Sequence, residues 1–161
     1  MKSTALQFVK AFHTRYLSII PLLQHPLLLL IRLYWGYDFY QSGVGKLNNL
    51  ENTIEFFASL NIPFPAFNAV FVGYMEMFGG ILFLAGFGVR YFTIPLIVNM
   101  CVAYATDDRE ALLNVFSDPE SFVAATPFQH LLALLIVYVY GAGFFSIDWL
   151  IELWNKRKTS H

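Results

Sequence analysis

Residues 67–89 form a nearly unbroken apolar run with one ionisable side chain, Glu76, close to its midpoint. At about 1.5 Å of rise per helical residue, such a run crosses the roughly 30 Å hydrocarbon core of a bilayer. Gly79 and Gly80 follow Glu76 at i+3 and i+4, which places a flat strip on the same helical face as the carboxylate. Lipid cannot solvate a carboxylate, so the rest of the chain has to surround it with protein or trapped water. Composition agrees with a membrane setting. Charged residues make up 13% of the chain, about half of the ~25% usual for a soluble domain. Net charge is −1, so no basic surface points to nucleic acid. Cys101 is the single cysteine, which excludes an internal disulfide and a CxxC redox pair.

The remaining apolar runs predict an all-α membrane protein, an up-down-up-down bundle of four transmembrane helices. Short interfacial helices are expected at the N-terminus, in the outer loops and at the C-terminus. Residues 1–24 carry Ala5, Val9, Phe12 and Tyr16 at helical spacing with Lys10 and Arg15 off the stripe, an interfacial amphipathic segment with no small-residue cleavage signature. Pro21 and Pro26 are expected to break it from the first span, 27–44. Leu50, Ile54, Phe57 and Leu60 predict a short helix on the bundle end. The second span ends at Gly86-Phe87-Gly88. So short a link to the third span, 91–104, forces an antiparallel hairpin. Pro95 is placed to kink that span. The fourth span is expected over 127–145, and Ser146 or Asp148 would cap a final short helix carrying Trp149 and Trp154. The organisation is thus an interfacial segment (1–24), a transmembrane domain (25–150) and a basic tail (151–161).

Charge sets the expected orientation. Lys2, Lys10, Arg15, Arg90, Lys156, Arg157 and Lys158 fall on the side of the termini and the tight hairpin, whereas only Lys46 and Arg109 fall on the other. The positive-inside rule then puts both termini in the cytosol and the longer acidic loops outside.

Two polar sets stand out. Arg32, Glu76 and Asn99 are each near the middle of a span. Either charge alone at mid-bilayer costs about 2.5–3.5 kcal/mol on insertion scales, and pairing offsets this. An Arg32–Glu76 ion pair with Asn99 hydrogen-bonded to it is therefore expected, whether its role is chemical or only to fix helix register. Nearer the outer face, Asp38, Gln41, Ser42 and Lys46 share one helical face, and Asp107, Asp108 and His130 lie at the same level. With Trp35, Phe39, Tyr40 and Tyr104 as aromatic walls, they outline a candidate outer cavity that would suit a quinone head group. His25 and His130 lie at opposite ends of their spans, so they cannot share a haem iron. No zinc spacing and no phosphate-binding glycine loop occurs in the sequence.

Several of these residues together resemble the DoxX family. The segments Leu30 to Gly36, Gly43 to Lys46 and Phe56 to Pro65 are similar to its opening motif and following loop. Glu76 with Gly79, Gly80 and Gly86 is similar to its second-span pattern. Gly141 to Asp148 resembles its Gly-Pro-Gly-x-x-Ser-x-Asp ending, with Gly141, Gly143 and Asp148 matching and Ala142 in place of proline. The resemblance covers about residues 27–150. It implies a four-helix, multi-pass protein of the bacterial cytoplasmic membrane. Some relatives are subunits of a thiosulfate:quinone oxidoreductase, others join oxidative-stress complexes, and distant ones assist assembly of membrane proteins. Arg32, Lys46, Glu76 and Asp148 are the polar positions it carries over, none with an agreed catalytic role. The departure at Ala142 concerns a helix end.

Two functions remain open on this reading. One is a quinone-linked oxidoreductase subunit working with a partner protein, since no cofactor motif is evident and no metal ligands are assigned. The other is a non-enzymatic interaction or assembly protein that offers its outer loops and glycine strips to another membrane protein. Either could form a homo-oligomer in the bilayer.

Overall fold

The computed structural model describes residues 2–159, with side chains from residue 22 onward. The chain is all-helical over these residues: α1 (Lys2–Asn48), α2 (Leu50–Ser59), α3 (Pro65–Ala85), α4 (Val89–Thr106), α5 (Arg109–Leu113), α6 (Pro119–Ala124), α7 (Thr126–Tyr140) and α8 (Ile147–Thr159). The long helices α1, α3, α4 and α7 pack in a closed ring, each against the next and α7 back against α1. Their contacts run in opposite directions along each neighbouring pair. Among the described residues two helices, α3 and α4, are long and apolar enough to cross a membrane, and α7 is a shorter apolar helix.

The expected break at Pro21 and Pro26 does not occur. α1 continues through both prolines as one helix of 47 residues, about 70 Å long. The Pro26 ring is exposed rather than wedged into the bundle, and the surrounding Leu-rich sequence carries the helix across a missing hydrogen bond. The expected amphipathic stripe at Ala5, Val9, Phe12 and Tyr16 lies outside the described side chains. At the other end α1 runs on to Asn48, past the expected limit at residue 44. Pro95 sits inside α4, on its exposed side.

The sequence explains the α3–α4 hairpin locally. Pro65 opens α3 in the first turn, where its missing N–H is no loss. Gly86, at φ 66°, closes it: Phe87 N donates to Leu82 O and Gly86 N to Phe83 O, which satisfies two of the terminal carbonyls. Gly88, at φ 56°, starts α4 at once.

The α1–α3 contact sets the register of the whole bundle. Gly36 and Gly43 stand one heptad apart on α1, as Gly73 and Gly80 do on α3. Gly36 lies against Gly80, and Gly43 against Gly73. A Cβ on Gly43 would be 2.5 Å from Gly73 O, and one on Gly80 would be 2.7 Å from Gly36 O. The two backbones thus touch along a strip free of side chains, as small residues allow in membrane bundles. Gly79 receives Leu96 of α4, 3.1 Å from where its Cβ would be.

The outside of the bundle is apolar: Leu30, Tyr34, Phe67, Phe71, Phe78, Ile94 and Val139 are all exposed. The inside holds Leu28, Phe39, Phe83, Leu96, Leu134 and Val137, but also Arg32 and Glu76, which are 0% and 3% exposed. Apolar surface outside and charge inside is the reverse of a soluble protein.

Candidate functional site

One end of the bundle holds a cavity of about 490 Å³. α1 contributes Phe39, Ser42 and Lys46; α3 contributes Asn68, Val72 and Glu76; α4 contributes Asn99 and Met100. Asp107 and Asp108, just beyond α4, stand in its wall, and α7 adds Thr126, Pro127 and His130. α2 closes the remaining side with Phe56 and Phe57, because its apolar face, with Phe57 buried, packs on α3.

Glu76 is the floor of this cavity, and Lys46 is its partner. Lys46 Nζ is 2.5 Å from Glu76 Oε2 and donates to Ser42 Oγ at 2.6 Å. Ser42 Oγ in turn donates to Oε2 at 2.8 Å. Asn99 Nδ2 donates to the other oxygen, Oε1, at 2.8 Å. The carboxylate of α3 is therefore held by one oxygen from α1 and by the other from α4, and charge-assisted bonds of this kind are the strong ones.

The expected Arg32–Glu76 ion pair is corrected by this geometry. Arg32 lies toward the opposite end, where Nη1 donates to Leu84 O at 3.3 Å and Nη2 donates to Phe145 O. The glycine register is the reason. With Gly36 opposite Gly80 and Gly43 opposite Gly73, Arg32 falls beside the end of α3, while Glu76 falls beside Ser42 and Lys46. Arg32 and Lys46 are about 21 Å apart along α1 at 1.5 Å per residue. The guanidinium instead satisfies the Leu84 carbonyl at the C-terminus of α3, the negative end of that helix, and the Phe145 carbonyl between α7 and α8. Span midpoints alone predict equal depth, whereas the signal that locates the partner is the heptad spacing of the two glycine pairs.

Of the expected outer set, Lys46, Asp107, Asp108 and His130 line the cavity. Asp38 and Gln41 do not. Asp38 stands beside it and meets His130, whose Nε2 is 2.7 Å from Asp38 Oδ2, while His130 Nδ1 is 2.9 Å from Thr126 O. A carbonyl only accepts, so Nδ1 carries hydrogen. Gln41 donates to the Tyr37 hydroxyl at 2.7 Å on the outer surface. Among the expected aromatic walls only Phe39 lines the cavity; Tyr104 is buried and donates to Phe122 O at 2.8 Å. Outside the helical spans, burial and the neighbouring Asp107 charge push the Asp108 carboxyl above the usual carboxylate range. No cluster of three or more metal-ligating side chains occurs among the described residues.

The motif residues at the other end are structural. Asp148 Oδ1 accepts from Gly88 N at 2.7 Å and Oδ2 from Val89 N at 3.2 Å, so it caps α4 rather than its own helix. Ser146 caps α8, accepting from Trp149 N at 3.2 Å. Gly141 and Gly143 both have positive φ, which carries the chain from α7 round to Phe145, whose carbonyl meets Arg32. A Cβ on Gly86 would overlap the Arg32 guanidinium.

A ring of helices with an apolar exterior, buried charge and a polar cavity at one end defines a helical membrane protein. More particularly, the chain belongs to the DoxX family: the DoxX family model matches residues 27–107. It is also similar to a Bacillus subtilis (strain 168) protein named "Putative oxidoreductase CatD", with 27% identity over 122 residues, 74% of this chain and 83% of the relative. No solved structure matches.

Proposed function

We propose that the chain is a quinone-binding subunit of a membrane redox complex, of the thiosulfate:quinone oxidoreductase kind. In this reading α1, α3, α4 and α7 each cross the bacterial cytoplasmic membrane, with both termini and the α3–α4 turn in the cytosol and the cavity opening outward. The observation that carries it is the cavity itself. Its volume of about 490 Å³ is within the ~300–1,000 Å³ usual for small-molecule sites. Its floor presents Lys46 and Asn99, each with an N–H left over from its bonds to Ser42 and Glu76, and its side presents the His130 imidazole. A quinone carbonyl needs a hydrogen-bond donor to bind and a proton when it is reduced. Phe39, Phe56 and Phe57 supply apolar wall for the ring. Electrons would come from an outward-facing donor through a partner subunit. The name of the Bacillus subtilis relative is in keeping with redox work.

The alternative, a non-enzymatic interaction or assembly protein, is favoured by the fact that Glu76 is fully engaged by Lys46, Ser42 and Asn99. It cannot use the glycine strips, which are buried between α1, α3 and α4. Gentle detergent purification followed by mass spectrometry of bound lipophiles separates the two. A stoichiometric quinone, lost in a His130→Leu variant that keeps its fold, is the expected result. A stoichiometric protein partner with no quinone would replace the redox reading by the alternative.

A further inference from the structure

The outside of the α3–α4 pair carries a second cavity, a groove of about 520 Å³. Met75, Gly79 and Leu82 of α3 and Phe92 and Pro95 of α4 line it along the seam between the two helices. Its outer wall is aromatic: Phe67 stacks on Phe71 and Tyr74 on Phe78, with ring centroids 6.0 Å apart in both pairs. No charged side chain lines it among the described residues. The helical period ties this groove to the polar cavity. On α3, Asn68, Val72, Met75, Gly79 and Leu82 recur at intervals of three and four, so they share one flank. Asn68 and Val72 line the polar cavity, and the other three line the groove. On α4, Phe92, Pro95, Asn99, Val102 and Thr106 share a flank in the same way. Phe92 and Pro95 line the groove, and Asn99, Val102 and Thr106 line the polar cavity. The two cavities are therefore successive lengths of one seam. Leu96, seated on Gly79, closes that seam toward the core, while Pro95 and Val102, both exposed, leave it open to the surroundings. The other seams are filled. Backbones touch at the glycine pairs of α1 and α3, and Leu96, Met100, Leu134 and Val137 pack together where α4 meets α7.

We infer that this groove holds the isoprenoid tail of a quinone whose ring reaches the polar cavity sideways, through the α3–α4 seam. The inference rests on the quinone reading of that cavity. A lipid-soluble quinone carries its polar ring on a long apolar chain. With the ring beside Glu76 and Asn99, the chain needs an apolar path back to lipid, and the groove begins where the ring site ends. Lipid is itself apolar, so the chain gains little by merely leaving it. What the groove adds is contact with a fixed aromatic wall, and through it an orientation for the ring. The ligand class is therefore a long-chain quinone delivered from the bilayer, not a water-soluble one arriving from the outer end.

The test uses the full chain in phosphatidylcholine nanodiscs with paired quinones: a tailless ring, and the same ring on an isoprenoid chain that ends in a diazirine. Benzoquinone and naphthoquinone rings are both used. Mass spectrometry reads retained quinone and light-induced adducts. Adducts on residues 67–82 and 92–95, displaced by the tailed quinone without its diazirine, are expected. Leu82→Trp, which fills the groove, should weaken retention of the tailed quinone about tenfold and leave the tailless ring unchanged. Val98→Trp, on an exposed part of α4 outside the groove, should change neither. Adducts spread over the lipid-facing sides of α1 and α7, at Leu30 and Val139, with the ring still held, would overturn the inference and leave the quinone reading standing. So would a folded Leu82→Trp protein that retains both quinones as before. Saturable retention of neither ring would remove the quinone reading, and this inference with it.

Discussion

Lys46→Met tests the assignment of Glu76's partner. Glu76 is 3% exposed, and its Oε2 loses the ammonium at 2.5 Å while Ser42 and Asn99 stay. Stranding a buried charge by removing one partner costs about 3–5 kcal/mol. Lys46 is 25% exposed and two hydrogen bonds remain, so the lower end, about 3 kcal/mol, is expected. The double variant Lys46→Met/Glu76→Met removes both charges and should recover about 2 kcal/mol of that loss, since an apolar pair of similar volume replaces a buried ion pair at little cost. The assay is SDS-driven unfolding of the detergent-solubilised protein, followed by tryptophan fluorescence at pH 8, where a stranded carboxyl is least able to escape by taking up a proton. The control is the cycle of Arg32→Met with Glu76→Met, which should be additive within about 0.5 kcal/mol because the two side chains share no partner. Additivity in the Lys46 cycle together with strong coupling in the Arg32 cycle would refute the register deduced from the glycines.

Gly43→Ala should destabilise by about 1–3 kcal/mol in the same assay, because its Cβ meets backbone of α3. Gly45→Ala, which meets nothing within 4 Å, should be neutral or stabilise by about 0.5–1 kcal/mol; equal losses at both positions would remove the argument for close backbone contact. Asp148→Ala should cost about 1–2 kcal/mol through the lost cap of α4 and should speed hydrogen exchange at the Gly88 and Val89 amides, which unchanged exchange would disprove. The raised Asp108 carboxyl binds its proton more tightly in the folded state than in the unfolded one. Its penalty is therefore in force at neutral pH and is relieved as pH falls through the folded value toward the ordinary carboxylate range. Asp108→Asn should be more stable than the parent at neutral pH and lack that gain on acidification; parallel pH profiles would show that the group is not strained.

Most of the fold was legible because its signals are local. Hydropathy marked the apolar helices, the Gly86-Phe87-Gly88 turn forced a hairpin, and the stripe from Leu50 to Leu60 marked α2. The candidate cavity was half legible: Lys46, Asp107, Asp108 and His130 were placed at one level, but Phe56 and Phe57 were missed because nothing in their spacing says which way α2 folds over the bundle. The helix end at Ser146 and Asp148 was legible as two capping residues, while their division of labour was not, since Asp148 serves a helix that begins 59 residues earlier in the chain.

By itself the sequence determined that this is an all-helical protein with a lipid-like exterior, that Arg32 and Glu76 must be buried, and that each needs a polar partner. Those conclusions follow from solvation, which depends on residue type and local pattern. Tertiary structure alone decided which partner each one has. That choice depends on how far α3 slides along α1, and the slide is settled by four glycines that let two backbones meet at one register, leaving Glu76 beside Lys46 and Arg32 beside the carbonyls at the far end.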